Sequence, residues 1–320
     1  MTKTVRATVG AALLAVGLLA ATGCNPTVTS KVGGTLDVRC GPSTKALPVD
    51  WYFPVGAPKG LVWLQHGFTE SKDDWDSLAR QASAGGLLVL ATTLPSADVF
   101  GCTVQNLGNN TAFLNDVAAT LAGLGDPASA LGRSHAAAAK AVGRTGQALP
   151  QRLALAGHSA GGEAVLYVAN RLRTTHPATF AKLGGLVLDD PVKSFVGDGT
   201  DASLTALNLT PLPIYAIASP KSSCNADQSG TVAATQKLTT RSFHGVVVTT
   251  GVHGDVFGTS ANGLGTATCG TPKAANVAAT QSLTLAWLTD ELAGTRTATN
   301  YPGGARYQAL VTAGTIATLP

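Results

Sequence analysis

The sequence predicts an α/β fold, a mostly parallel central sheet with helices on both faces, built as a single domain. Three observations predict it. Short runs such as "GLVWLQHG", "GLLVLATTL" and "GGLVL" are apolar almost throughout, as expected of strands buried on both faces rather than of a sheet with one wet face. Segments of helical character separate these runs, which is the pattern of strands joined by crossover helices. No composition shift, internal repeat or low-complexity block divides the 320 residues, so one large core is expected.

The elements follow in chain order. "GTLDVRC" and "LPVDWYF" suggest an antiparallel opening pair, and "GLVWLQHG" is a buried strand followed by a helix in "DDWDSLARQASAGG". After the strand "GLLVLATTL", the Ala-rich region from Asn110 to Gly143 is helical in parts and broken at "GDPAS". Next come the strand "RLALAGHS", a helix from about Gly162 to Leu172, and the strand "LGGLVLDDP". The series closes with "LPIYAIASP", a helix at "TVAATQKLTTR", the strand "HGVVVTTGVHG" and a long helix at "NVAATQSLTLAWLTDELA". The turn-rich tail beyond Leu292 carries no assignment.

Hydrophobic residues make up 45% and charged residues 12%, with a net charge of +4 from scattered basic residues. That balance argues against nucleic acid or an anionic membrane surface as a partner. The N-terminus has the layout of an export signal: Lys3 and Arg6, then the uncharged "ATVGAALLAVGLLA", then "ATGC". The run falls short of the roughly 20 apolar residues of a spanning helix. Residues 1–23 are therefore assigned to a signal peptide, 24–35 to a polar tether and 36–320 to the α/β domain. Beyond Cys24, four cysteines remain, Cys40, Cys102, Cys224 and Cys269. In an exported chain they favour two disulfides, with three pairings open. No cysteine or histidine cluster has metal-ligand spacing, so no structural zinc is expected.

The joint between the strand "RLALAGHS" and its helix carries Gly157-His158-Ser159-Ala160-Gly161, a G-x-S-x-G pattern. A serine in so sharp a strand-to-helix turn is strained, and side chains at the flanking glycines would collide with neighbouring chain. The helix N-terminus aims its dipole at the same point. A serine hydroxyl needs a base, and the chain has six histidines. His158 is expected to turn away from the hydroxyl. His135 and His176 lie in or near helical segments expected to be exposed, His244 begins a strand, and His66 is expected to orient its loop. His253 stands just past the C-terminal end of the last predicted strand, the edge where α/β sheets bind ligands, and is taken as the base. The acid is assigned to Asp190, which Pro191 should hold in extended geometry at its strand tip, with Asp227 as the alternative. Asp189 should then point away and bond loop backbone. The oxyanion donors are expected to be the amides of Ala160 and of Phe68, after the close turn allowed by Gly67. Phe100 and Phe257 are candidates for apolar contacts beside the cleft.

The order Ser, Asp, His, the "HGF" loop and "GHSAGG" resemble the α/β-hydrolase superfamily over most of the mature chain. "GLVLDDPV" and "GVHGDVFG" look like the acid and base segments of chlorophyllases and of platelet-activating-factor acetylhydrolase-type esterases. That resemblance implies a triad of Ser159, Asp190 and His253, an oxyanion hole at Phe68 and Ala160, and a loop-shaping role for Asp255. The export signal, "HGF" and "GHSAGG" also resemble cutinase-like polyester hydrolases, which place the acid one strand later and so keep Asp227 in play. Either resemblance is suited by a disulfide between Cys224 and Cys269 that pins His253 near the site, leaving Cys40 to pair with Cys102. "ATGC" resembles a bacterial lipoprotein processing box with Cys24 lipidated, a reading placed ahead of plain secretion. Together these imply an exported monomeric esterase acting on small-molecule or lipid esters without metal or organic cofactor, touching the membrane only through a lipid anchor. The rival expectations are an envelope acyltransferase on the same scaffold, a polyester hydrolase, and a non-catalytic binding lipoprotein.

Overall fold

The computed structural model describes residues 29–98 and 100–320. The signal segment and Cys24 lie outside the described residues. Nine strands form one sheet: β1 Ser30–Cys40, β2 Ser43–Phe53, β3 Leu61–Gln65, β4 Leu88–Thr92, β5 Leu153–His158, β6 Leu183–Asp189, β7 Ile214–Ala218, β8 Gly245–Val248 and β9 Ile316–Thr318. Their order is β1-β2-β4-β3-β5-β6-β7-β8-β9. The neighbours from β4 through β8 pair in parallel, while the β1–β2 hairpin and β9 are antiparallel at the two edges.

Every residue of β3, β4 and β5 is buried. In β3, Leu61 and Trp63 enter one core and Val62 and Leu64 the other, which is why these strands show no in–out alternation. The first core is closed by α2 (Thr111–Ala122), α3 (Ala130–Ala141), α4 (Ala160–Thr175), α6 (Gly199–Leu207) and α7 (Ser229–Lys237). The second is closed by α1 (Asp76–Ala84), α9 (Ala274–Ala293) and α10 (Ala305–Thr312). Two short helices, α5 (Pro177–Phe180) and α8 (Gly263–Cys269), complete the set. The connections leaving β3 and β5 pass to opposite faces, which opens a crevice over their C-terminal ends.

Two expectations change. The stretch assigned to a tether enters the sheet at Ser30, because Lys31 is drawn onto Asp76 at 2.8 Å and Asp50 at 2.9 Å while β1 pairs along the whole of β2. The unassigned tail forms α10 and the edge strand β9, whose Ile316 is buried in the second core. Among the described residues no helix is long and apolar enough to cross a membrane.

Disulfides join Cys40 to Cys102 and Cys224 to Cys269. The first ties the β1–β2 hairpin to the loop after β4 across a sequence separation of 62 residues. Cross-linking a loop of this size restricts mainly the unfolded chain. A Cys40→Ser/Cys102→Ser variant is therefore expected to lose about 2–4 kcal/mol, measured as a lower midpoint in denaturant unfolding.

Candidate active site

Ser159 sits between β5 and α4 with φ 56° and ψ −125°, a conformation that side-chain-bearing residues rarely adopt. Its amide donates to the Asp189 carbonyl at 3.1 Å, and its carbonyl accepts from Gly162 at 2.9 Å and Val192 at 3.0 Å. The glycines of the pattern are required by close approach. A Cβ at Gly157 would stand 2.2 Å from the Gly161 carbonyl oxygen, and one at Gly161 would stand 2.3 Å from that of Gln65. The loop after β3 presses equally closely, since a Cβ on Gly67 would lie 2.5 Å from Ser159 Cβ. This brings the Phe68 amide beside the elbow. Among the described residues, neither the Phe68 nor the Ala160 amide has a backbone acceptor.

His253 lies in the loop between β8 and a 3-10 turn at Asp255–Ser260. Its Nδ1 is 2.7 Å from Asp190 Oδ2. A carboxylate only accepts, so Nδ1 carries the hydrogen and Nε2 is left for the cleft. Asp190 is held in turn by the Ser219 amide at 2.9 Å, the Ser219 hydroxyl at 2.6 Å and Asn225 Nδ2 at 3.2 Å. Ser159, His253 and Phe68 line one cleft of about 180 Å³, with Glu70, Phe257, Ala261, Pro272 and the Cys224–Cys269 bridge in its walls. Asp255 shapes the base loop by accepting from the Val252 amide at 2.9 Å.

The structure departs from several expectations. Asp190 has φ 44° rather than the extended geometry expected before Pro191. Its amide donates to the Ile217 carbonyl at 2.7 Å and its carboxylate is drawn to Ser219 and Asn225, which together turn the chain at the strand end. Among the described residues the Asp189 side chain bonds no loop backbone; its Oδ1 accepts from Thr284 on α9 at 2.8 Å. Asp227, the alternative acid, is exposed, and it is its neighbour Asn225 that reaches Asp190. His135 is not on the surface but 2% exposed. It packs against Trp51 and Phe53, and burial pushes its imidazole down to about 4. Phe257 lines the cleft, whereas Phe100 is 89% exposed and lines none of it.

Three contributors are not among the residues singled out from the sequence: Ser219 and Asn225 behind Asp190, and Glu70 beside His158. Glu70 Oε2 accepts from the Gly67 amide at 2.7 Å and lies 2.9 Å from His158 Nδ1. His158 Nε2 lies 2.7 Å from the His253 carbonyl oxygen. The signal for Glu70 was an acidic residue in the "HGFTE" loop of a chain whose elbow also carries a histidine. Glu70, His158 and His253 offer donor atoms within 4.8 Å of one another. Both His158 nitrogens are engaged in this network, so the cluster fits a hydrogen-bonded relay better than a metal centre.

Solved structures share the fold of this chain. A ferulic acid esterase from Streptomyces cinnamoneus superposes with a TM-score of 0.59 at 14% identity, over 93% of this chain and 98% of that one. The fold is that of the α/β-hydrolases. An esterase from Rhizomucor miehei matches with a TM-score of 0.54 at 15% identity, covering 83% of this chain and 85% of that one. A putative dienelactone hydrolase from Klebsiella pneumoniae matches with a TM-score of 0.52 at 15% identity, over 81% and 98% of the respective chains. No protein-family model matches the sequence, and no curated protein matches it. These α/β-hydrolase likenesses establish the architecture alone.

Burial raises Asp189 to about 7. A raised folded-state value means that the neutral acid is favoured in the fold, so its contribution is present at low pH and is lost as pH rises through about 7. Asp189→Asn, neutral at every pH, is expected to match the wild type in thermal midpoint below about pH 4, to pull ahead as the pH rises, and to keep a constant lead above about pH 7. Parallel melting curves that keep a constant gap across this range would count against the neutral acid.

Proposed function

We propose that this protein is an exported serine hydrolase that cleaves carboxylic esters through an acyl-enzyme. The observation that carries the reading is the strained Ser159 facing one cleft with the His253–Asp190 pair. In this reading Ser159 Oγ attacks the ester carbonyl while His253 Nε2 takes its proton. Asp190 keeps the imidazole in the required tautomer and stabilises its charged form. The oxyanion is held by the amides of Phe68 and Ala160, an arrangement whose single donors are typically worth roughly 3–4 kcal/mol. His253 then passes the proton to the departing alcohol, and a water activated by the same imidazole releases the acid.

The substrate is proposed to be a small-molecule or lipid ester. Phe68, Phe257, Ala261 and Pro272 offer apolar contact to its acyl or alcohol part. Export is supported by the leader-like N-terminus and by the two disulfides, which persist in oxidising compartments. A lipid on Cys24 would then tether a monomeric catalytic domain to the envelope.

A fluorophosphonate probe is expected to label Ser159 in the wild type and to leave Ser159→Ala and His253→Ala unlabelled. Hydrolysis of p-nitrophenyl esters of increasing chain length should fall by roughly 10⁴-fold in kcat for Asp190→Asn, with the chain-length preference of the wild type retained. Undiminished labelling of His253→Ala would remove the assigned base, and undiminished turnover by Asp190→Asn would remove the acid.

A further inference from the structure

We propose that Glu70 and His158 form an ionised clamp that ties the oxyanion loop to the base-bearing loop, making both positioning residues for the chemistry at Ser159. This rests on the serine-hydrolase reading and adds a second restraint to it. Asp190 orients the side chain of His253, whereas the clamp holds the main chain of the same residue.

The argument begins with donors and acceptors. His158 meets the Glu70 carboxylate through Nδ1 and the His253 carbonyl through Nε2, at 2.9 and 2.7 Å. Both partners accept, and a neutral imidazole carries only one N–H. Serving both requires an imidazolium facing a carboxylate. The ring is fully buried, with its edge against Phe257 at 4.5 Å between centroids, so a lone charge there would be costly. Burial lowers the imidazole's affinity for its proton, but the Glu70 charge more than offsets this and raises His158 to about 9. Burial likewise pushes Glu70 up, and the His158 charge brings it below the ordinary carboxylate range.

Around this ring stand Glu70 from the loop after β3, Asp189 and Asp190 from the end of β6, and His253 and Asp255 from the loop after β8. Glu70 supplies the charge directly bonded to the ring and also receives the Gly67 amide, one residue before the Phe68 donor. A single proton on His158 therefore spans from the oxyanion loop, across β5, to the base. When it leaves, one buried acceptor loses its donor and one loop loses its hold. The imidazolium's raised value places this contribution below about pH 9, and it is lost as the pH rises through that value.

The test uses the whole protein labelled with 15N-histidine. In the wild type, His158 is expected to show both ring nitrogens protonated at pH 8. In Glu70→Gln, nearly the same shape without the charge, it should titrate below the ordinary histidine range, because burial is no longer offset. An unprotonated His158 nitrogen at pH 7 in the wild type would overturn the clamp. Fluorophosphonate labelling of Ser159 is then followed from pH 6 to 10, with thermal melts at pH 6 to verify that each variant folds. Glu70→Gln and His158→Gln should label on the order of 10–100-fold more slowly at pH 8, and the alkaline limb of the Glu70→Gln profile should move from near 9 to below neutrality. Rates and limbs equal to wild type would refute the positioning role. A wild type that the probe never labels would sink the serine-hydrolase reading instead, with the NMR arm still deciding whether the pair is ionised.

Discussion

Holding a serine at φ 56° against about 1–3 kcal/mol of backbone strain is the constraint around which the rest of the structure is arranged. The restraint comes from three directions. β6 accepts the Ser159 amide at Asp189, the first turn of α4 and the chain after Asp190 both donate to its carbonyl, and the β3 loop presses Gly67 against its Cβ. None of these contacts can relax without moving another strand end. The parallel strands β3, β5 and β6 thus supply the rigidity that keeps a strained residue in one place. Their near-complete burial on both faces gives that rigidity.

The same geometry concentrates ionisable groups below the cleft. Glu70, His158, Asp190 and His253 form one hydrogen-bonded chain, and Asp189 and Asp255 lie beside it. Such a cluster is tolerable in a buried place where opposite charges pair and burial biases the remaining carboxyls toward their neutral form. Burial raises Asp189 to about 7 and Asp255 to about 6, while Glu70 stays ionised opposite His158.

The sheet was legible because strands covered on both faces must be apolar throughout, and the elbow was legible because its glycines answer a steric demand. Elements without a strong period were not. α6 in "GTDASLTAL", α8 in "GLGTATC" and β9 in "IAT" mix Gly, Thr and Ala so evenly that no face stands out. His135 was misjudged for a related reason. Its helix is Ala-rich, and the aromatic partners that bury it, Trp51 and Phe53, come from β2, more than 80 residues away. Ser159, Asp190 and His253 could be singled out because each follows the C-terminal end of a parallel strand. Glu70, Ser219 and Asn225 act only through contacts between loops that the sequence does not place.

The choice between two acid positions illustrates why those loop contacts matter. Strands β6 and β7 are parallel neighbours, so their C-terminal loops emerge side by side and either can offer a carboxylate to His253. Here the division of labour is spatial. The loop after β6 brings the carboxylate, and the loop after β7 brings the donors that hold it, Ser219 and Asn225. Asn225 is suited to that task because its Oδ1 receives the amides of Ser222 and Gln228, leaving Nδ2 to face Asp190. The turn around it includes Ala226, Asp227 and Gln228, all at positive φ, and the adjacent Cys224 is anchored to Cys269 beyond the base loop. Asp227 therefore faces solvent as a consequence of the turn that lets Asn225 reach inward. The carboxylate that meets His253 is thus the one whose donors the neighbouring loop supplies.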